Sequence, residues 1–411
     1  MDYLLAALLL AFALLGHAAL WVGFINRLNA IPLHYLVLRW INRPAMVLCG
    51  VIALLMNAHV VRLFWFWVDA PPSEPPANYP TVATYYFMVC WATATLAIVT
   101  WVYRKCVSER HPVSVISSEM IDVAQAVDIP LAHGLKARLS SRLPGNQFLQ
   151  FEVRTLEVEL PRLPPELDGL SLVHLTDFHM AGHVGKPYFD EVIRQANRLD
   201  ADLVLITGDI IDDEQCLPWL ELLGELRSRL GIYFVLGNHD YRVCPAEQLR
   251  EMLAERGLTN VAGTHHLISH NDHHILLAGN ELPWHREPVP FDDLPCPAES
   301  ARILSIALSH TPDEFDWARE GGFDLLLAGH LHGGQIRLPI LGPVLSPSRH
   351  GVRYSGGTFF RSPTVMHVSR GLSGMMPLRF NCPPELAKLV LRRERSGQGE
   401  ASAVGGGRSS C

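Results

Sequence analysis

The sequence predicts an α/β fold for residues 151–394, set behind an all-α amino-terminal region at 1–105, and three observations carry that reading. Short apolar runs at Leu170–Leu175, Leu203–Ile206, Ile232–Leu236, Ile303–Leu308 and Leu325–Ala328 have the length of buried strands. Helical stretches alternate with them at Lys186–Arg198, Cys216–Leu230, Ala246–Arg256 and Asp313–Glu320. Pro187 and Pro312 fall near two helix starts, where a missing N–H costs nothing. Ahead of this pattern, Tyr3–Ile25, Pro44–Val68 and Thr81–Tyr103 each approach the ~20 apolar residues a helix needs to cross a bilayer.

These three stretches hold the excess of a composition that is 49% apolar and only 18% charged. The first lacks the basic start of a secretory signal, since only Asp2 precedes it, and two more spans follow. The loops set an orientation. Arg27, Arg39 and Arg43 flank the first connection, Asp69 and Glu74 lie in the second, and Arg104, Lys105 and Arg110 follow the third stretch. The positive-inside rule then predicts a multi-pass integral membrane protein with an external amino terminus and a cytoplasmic catalytic domain, at the inner membrane if the chain is bacterial. Arg62 lies near an outer end, where it can snorkel, and Trp65, Trp67 and Trp101 suit the interface.

Residues 106–150 read as a juxtamembrane linker, with a short helical pattern around Glu119–Val127. Its Lys136, Arg138 and Arg142 suit either anionic lipid headgroups or open solvent. Residues 395–411 are rich in Gly and Ser and are expected to be disordered. A net charge of -7 and a pI near 6.3 argue against a nucleic-acid partner, which requires a basic surface. The 8 cysteines show no Cys-x-x-Cys spacing, so neither a redox motif nor a disulfide framework is expected.

Five short segments at the carboxyl ends of the strand-like runs carry the chemistry: Asp177-Phe178-His179, Gly208-Asp209, Gly237-Asn238-His239-Asp240, Ser309-His310 and Gly329-His330-Leu331-His332. That end of a sheet is where an α/β fold builds its site. Carboxylates, an amide and imidazoles are the donors that a pair of divalent ions roughly 3.5–4 Å apart requires. Several nitrogens in one site favour Mn, Fe or Zn over Ca or Mg. His265, His266, His270, His273 and His274 crowd a polar turn without acidic or thiol partners at ligand spacing and read as ordinary surface histidines.

This motif set resembles the calcineurin-like metallophosphoesterase family. Ser309-His310-Thr311-Pro312-Asp313, Gly329 through Gln335 and Val368-Ser369-Arg370-Gly371-Leu372 resemble its membrane-associated YkuE/YaeI-type bacterial branch. The likeness covers roughly Phe151 to Arg393 and implies a four-layer sandwich of two mixed β-sheets flanked by helices, with runs at Thr364–Ser369 and Ala387–Leu391 completing the second sheet. It also implies that one metal takes Asp177, His179, Asp209 and His332, and the other Asp209, Asn238, His310 and His330, with Asp209 bridging. His239 would protonate the leaving group, oriented by Asp240. Phe178, where an aliphatic residue is commoner, would point away from the metals along a strand.

The reaction so implied is hydrolysis of a phosphomonoester, phosphodiester or pyrophosphate. Tethering to a bilayer favours a lipid-linked phosphoester, and family members that cleave a UDP-diacylglucosamine pyrophosphate point the same way. Two other readings stay open: a phosphodiesterase or phosphatase for soluble nucleotides or phosphoproteins, and a non-catalytic membrane sensor of phosphorylated ligands.

Overall fold

The computed structural model describes residues 3–69, 82–107, 113–127, 131–181, 183–270, 272–295, 303–374 and 376–394. The chain divides into two compact units, 1–108 and 109–411. The expected tail at 395–411, Arg110, the second inter-span loop beyond Asp69 and the side chains of Trp65 and Trp67 lie outside the described residues.

The first unit holds three helices long and apolar enough to cross a membrane: α1 (Tyr3–Leu28), α2 (Tyr35–Asp69) and α3 (Val82–Cys106). Small residues let their backbones approach, as in lipid-embedded helix pairs. A Cβ on Gly16 of α1 would collide with the Cys90 carbonyl of α3, and Ala13, Cys90 and Ala94 are fully buried. Polar side chains close the same contact: His17 Nδ1 lies 2.6 Å from Tyr86 Oη, and the Trp21 indole donates to that oxygen at 3.3 Å.

The second unit runs β1 (Val113–Asp122), α4 (Val123–Ala126), α5 (Gly134–Ser140), β2 (Gln150–Leu160), β3 (Ser171–Leu175), α6 (Lys186–Arg198), β4 (Leu203–Thr207), β5 (Ile232–Val235), α7 (Ala246–Ala254), β6 (Thr259–Asn260), β7 (His265–His270), β8 (His273–Asn280) and β9 (Ile303–Ser309). It continues through α8 (Phe315–Glu320), β10 (Leu325–Ala328), β11 (Arg337–Leu338), β12 (Gly342–Pro343), β13 (Gly357–Arg361), β14 (Thr364–Val368) and β15 (Glu385–Arg393). One mixed sheet has the order β1-β2-β15-β3-β4-β5-β6, the other β13-β14-β10-β9-β8-β7.

Period-2 alternation explains why the sheets stack. Leu172, Leu205, Ile306 and Leu327 point into the apolar layer between the sheets. Their neighbours Val173, Val204 and Ile206 face outward onto Tyr188, Phe189 and Val192 of α6 and Leu249 of α7. Ala307 and Leu326 on the opposite outer face meet Phe315 and Ala318 of α8. Three apolar layers between four layers of structure make the helix–sheet–sheet–helix sandwich.

Four details differ from the sequence reading. Val113–Asp122, placed in the linker, is a strand antiparallel to β2, so the helical pattern expected around Glu119–Val127 is helix only at Val123–Ala126. Its exposed side chains carry no burial pattern to announce it. The run at Ala387–Leu391 joins the first sheet, not the second: β15 lies parallel to β2 and antiparallel to β3. Cys216–Leu230 forms 3-10 turns over Glu214–Glu225, because Pro218 inside the stretch removes a donor that a regular helix would use. The five histidines form the β7–β8 hairpin, where His273 faces Glu166 at 3.5 Å.

Candidate metal centre

β3, β4, β5, β9 and β10 end together, and the loops leaving them bring Asp177, His179, Asp209, His239, His310, His330 and His332 into one place, with Asn238 next to His239 on its loop. Asp177, His179, Asp209 and His310 are at most 1% exposed, a costly position for ionisable groups without a partner. Five of these residues also adopt the left-handed backbone: Asp177 at φ 55°, His179 at 46°, Asp209 at 52°, His330 at 69° and His332 at 48°. Each such non-glycine residue costs about 1–2 kcal/mol. Glycine would relieve the strain but would delete the donor atom, so the site holds strain in exchange for function. Phe178 lies in this turn, not on a strand, and packs on Phe189 in the core.

Three overlapping groups of donor atoms result: two clusters, Asp177–His179–His332 and Asp209–His310–His330, and a third group, His179–Asp209–His239, that joins them. His179 Nε2 and His332 Nε2 face each other at 3.1 Å, and so do His310 Nε2 and His330 Nδ1. Paired imidazole nitrogens at this spacing match two ligands of one ion with bonds of ~2.1 Å. Asp209 Oδ2 lies 3.2 Å from His310 Nε2 and 3.5 Å from His179 Nε2, so it reaches both clusters. Asp209 Oδ2, Asn238 Oδ1 and His330 Nε2 are buried without a hydrogen-bond partner, an unfavourable state that a cation relieves at the first two. The residues present therefore fit a pair of divalent ions.

The outer partners set the tautomers. His310 Nδ1 donates to the Thr207 carbonyl at 2.7 Å, His332 Nδ1 to the Ser373 carbonyl at 3.2 Å, and His179 Nδ1 to Asp212 Oδ2 at 2.9 Å, leaving each Nε2 free for a metal. Burial holds His332 down to about 3, outweighing Asp177, and burial with the facing His310 does the same to His330. His310 moves the other way: burial would lower it, but the Asp209 charge pushes it up to about 9. Metal-free His310 is thus protonated at pH 7 and must lose its proton to bind. Metal uptake is expected to release at least one proton at pH 7 and to tighten as pH rises toward 9. Titration calorimetry in buffers of different ionisation enthalpy reads this directly, and a buffer-independent heat would rule it out.

The acid that orients His239 is Asp212, where the sequence reading named Asp240. His239 Nδ1 lies 2.7 Å from Asp212 Oδ1, so one carboxylate serves both His239 and His179. The Asp240 carboxylate turns back into the loops and accepts the backbone N–H groups of Asp209, Ile210, Ile211 and Gly237 at 2.7–3.1 Å. It fixes the loops that carry Asp209 and Asn238. Burial and the neighbouring Asp209 charge raise the Asp240 pKa, while those N–H groups oppose the rise. Asp212 stands three residues after Asp209, a spacing visible in the sequence but not distinguished there from any other loop acid. Arg379 also escaped notice: it is buried, donates to the His332 carbonyl at 2.8 Å and to the Ser373 carbonyl, and pins the turn carrying His332.

Residues 170–334 match the family model described as calcineurin-like phosphoesterase. The chain is 30% identical over 245 residues to the uncharacterized metallophosphoesterase YkuE of Bacillus subtilis, covering 56% of this chain and 82% of that protein. It is 30% identical over 259 residues to a transmembrane protein with metallophosphoesterase domain from Danio rerio, covering 58% of this chain and 57% of that one. It is 24% identical over 283 residues to the UDP-2,3-diacylglucosamine pyrophosphatase LpxG of Chlamydia muridarum, with 56% and 86% covered. With a metal-ready cluster at the matched motifs, the chain belongs to the calcineurin-like metallophosphoesterase family and is a metal-dependent phosphoric ester hydrolase.

Proposed function

We propose that the protein is a multi-pass membrane enzyme whose cytoplasmic catalytic domain hydrolyses a phosphoester or pyrophosphate bond of a lipid-linked substrate. The observation that carries this reading is the joining, in one chain, of the Asp209-centred donor cluster with three apolar helices of spanning length. The pyrophosphatase LpxG and the Danio rerio transmembrane protein support the substrate class and the membrane setting respectively.

In this reading Asp177, His179, Asp209 and His332 hold one ion, and Asp209, Asn238, His310 and His330 the other. Bound there, the ions supply Lewis acidity and an activated water for in-line attack at phosphorus. The chain's own residues do the rest. Asp209 spans the two positions, Asp212 holds His239 Nδ1–H, and His239 Nε2 gives its proton to the departing oxygen. Metal-dependent turnover of an aryl phosphodiester separates this enzyme from a sensor that only binds. Lipid extracts compared before and after depletion of the protein identify the substrate, and an unchanged lipid profile with altered soluble nucleotides would favour the soluble-substrate reading.

The orientation is tested separately. A reporter fused after Arg110 is expected to behave as cytoplasmic, and one in the Asp69–Pro80 loop as external. Protease added to sealed spheroplasts is then expected to spare the catalytic domain. Its digestion from outside would reverse the orientation and move the substrate to the opposite leaflet.

A further inference from the structure

The exposed large apolar side chains of the catalytic unit gather in a few places. Among the described residues, those outside β1 and Leu267 fall in three segments: α5 and its end, the β11–β12 hairpin with its flanks, and Met376. Leu135 is 74% exposed and Leu139 54%, while Ala137 between them anchors α5 in the core. On the hairpin, Ile340 is 79% exposed and Leu341 56%. Leaving such groups in water forfeits the free energy that their burial would supply.

Hydrogen bonds make these segments one platform. The Asn146 amide donates to the Ser140 carbonyl at 2.8 Å and to the Pro377 carbonyl at 2.9 Å, and accepts from the Arg379 N–H at 2.8 Å. Ile336 pairs with Phe380, the Arg337 N–H donates to the Phe380 carbonyl at 3.0 Å, and the Asn381 amide donates to the Arg337 carbonyl at 3.0 Å. The platform also borders the metal centre: Arg379 donates to the His332 carbonyl, and a Cβ added at Gly334 would meet Pro343 of the hairpin.

Charge selects the occupant. The whole chain is acidic at -7, but no Asp or Glu occurs between Asp128 and Glu152, nor between Asp324 and Glu385, the two stretches that supply the entire platform. Lys136, Arg138 and Arg142 stand exposed among its leucines. An exposed apolar surface studded with cations that have no ion-pair partner among the described residues fits the headgroup region of an anionic bilayer, into which leucine tips sink while Lys and Arg meet lipid phosphates. We infer that α5 and the β11–β12 hairpin form a docking face that rests the catalytic unit on anionic lipid and holds the His332 side of the metal centre at the headgroups. This deepens the lipid-substrate reading and rests on it for its purpose, though the docking itself is measured without any substrate.

The full chain reconstituted in nanodiscs of phosphatidylcholine, with or without a minority of phosphatidylglycerol, provides the test. A photoreactive benzoylphenylalanine at Leu341 is expected to form lipid adducts in the anionic discs and far fewer in the zwitterionic ones. Each basic residue near an anionic surface is worth roughly five-fold in partitioning, so Lys136→Glu with Arg138→Glu and Arg142→Glu is expected to cut adducts by more than about tenfold. The milder pair Lys136→Glu with Arg142→Glu covers the case in which the triple variant folds poorly. Turnover of a soluble aryl phosphodiester is expected to stay unchanged in both variants, which certifies the fold. Equal adducts in both disc types, no response to charge reversal, or crosslinks mainly to a second copy of the chain would each overturn the docking face. Loss of aryl phosphodiester turnover in the wild type would instead overturn the enzymatic reading and leave the lipid adducts standing.

Discussion

Asp209→Asn is expected to abolish metal loading at both positions and to remove nearly all activity while the fold persists. The Oδ2 atom of Asp209 is buried, without a hydrogen-bond partner, and within 3.5 Å of imidazoles from both donor clusters. An amide keeps the carbonyl that accepts the His239 N–H at 2.8 Å, so the loop has no reason to move. What disappears is one charge shared by two dications. The loss is several kcal/mol, and at ~1.4 kcal/mol per decade the rate falls at least about 10³-fold. His179→Ala removes one donor from one ion and is expected to leave the other position loaded. Elemental analysis and circular dichroism of the two variants decide the matter; two tightly held ions with full turnover in Asp209→Asn would refute the bridging role.

His239→Ala is expected to keep metal occupancy yet slow esters with poor leaving groups by ~10²–10⁴, and nitrophenyl esters by much less, because a nitrophenolate departs with little proton help. The contact of His239 Nδ1 with Asp212 at 2.7 Å gives this prediction a second arm. Asp212→Ala is expected to show the same dependence on leaving group, with weaker metal binding added, since Asp212 also holds the ligand His179 at 2.9 Å. An equal loss for both classes of ester would take the proton-donor role away from His239.

The strands that carry the donors were legible because buried β-strands leave apolar runs, and all five end where the motifs begin. The candidate donors were legible because few residue types hold metal, and Asp177, His179, Asp209, His310, His330 and His332 fall in overlapping groups in the structure. Asp212 and Asp240 were not separable on sequence, since both follow a motif residue closely and only the direction of each side chain decides which reaches His239. β1 was hidden by exposure: an edge strand whose side chains face water has no hydrophobic alternation. The placement of β15 was hidden for another reason. Its apolar faces suit either sheet, and the choice lies in pairing with β2 and β3, far away in sequence. The left-handed backbone at five donor positions is uncommon for any residue but glycine and shows only in three dimensions.

Because β15 fills the gap between β2 and β3, the first sheet closes only around the last of the described strands. Without β15 the strand pairings leave the first sheet in two parts, a β1–β2 ribbon and a β3–β6 leaf. Glu385 is the clasp. Its N–H reaches the Gly371 carbonyl and its carboxylate pairs with Arg154 of β2 and with Arg370, which follows β14, beside the glycine that lies against Asp177. The last strand is therefore part of the support of the donor turn, and truncation before Glu385 is expected to loosen Asp177 together with the sheet.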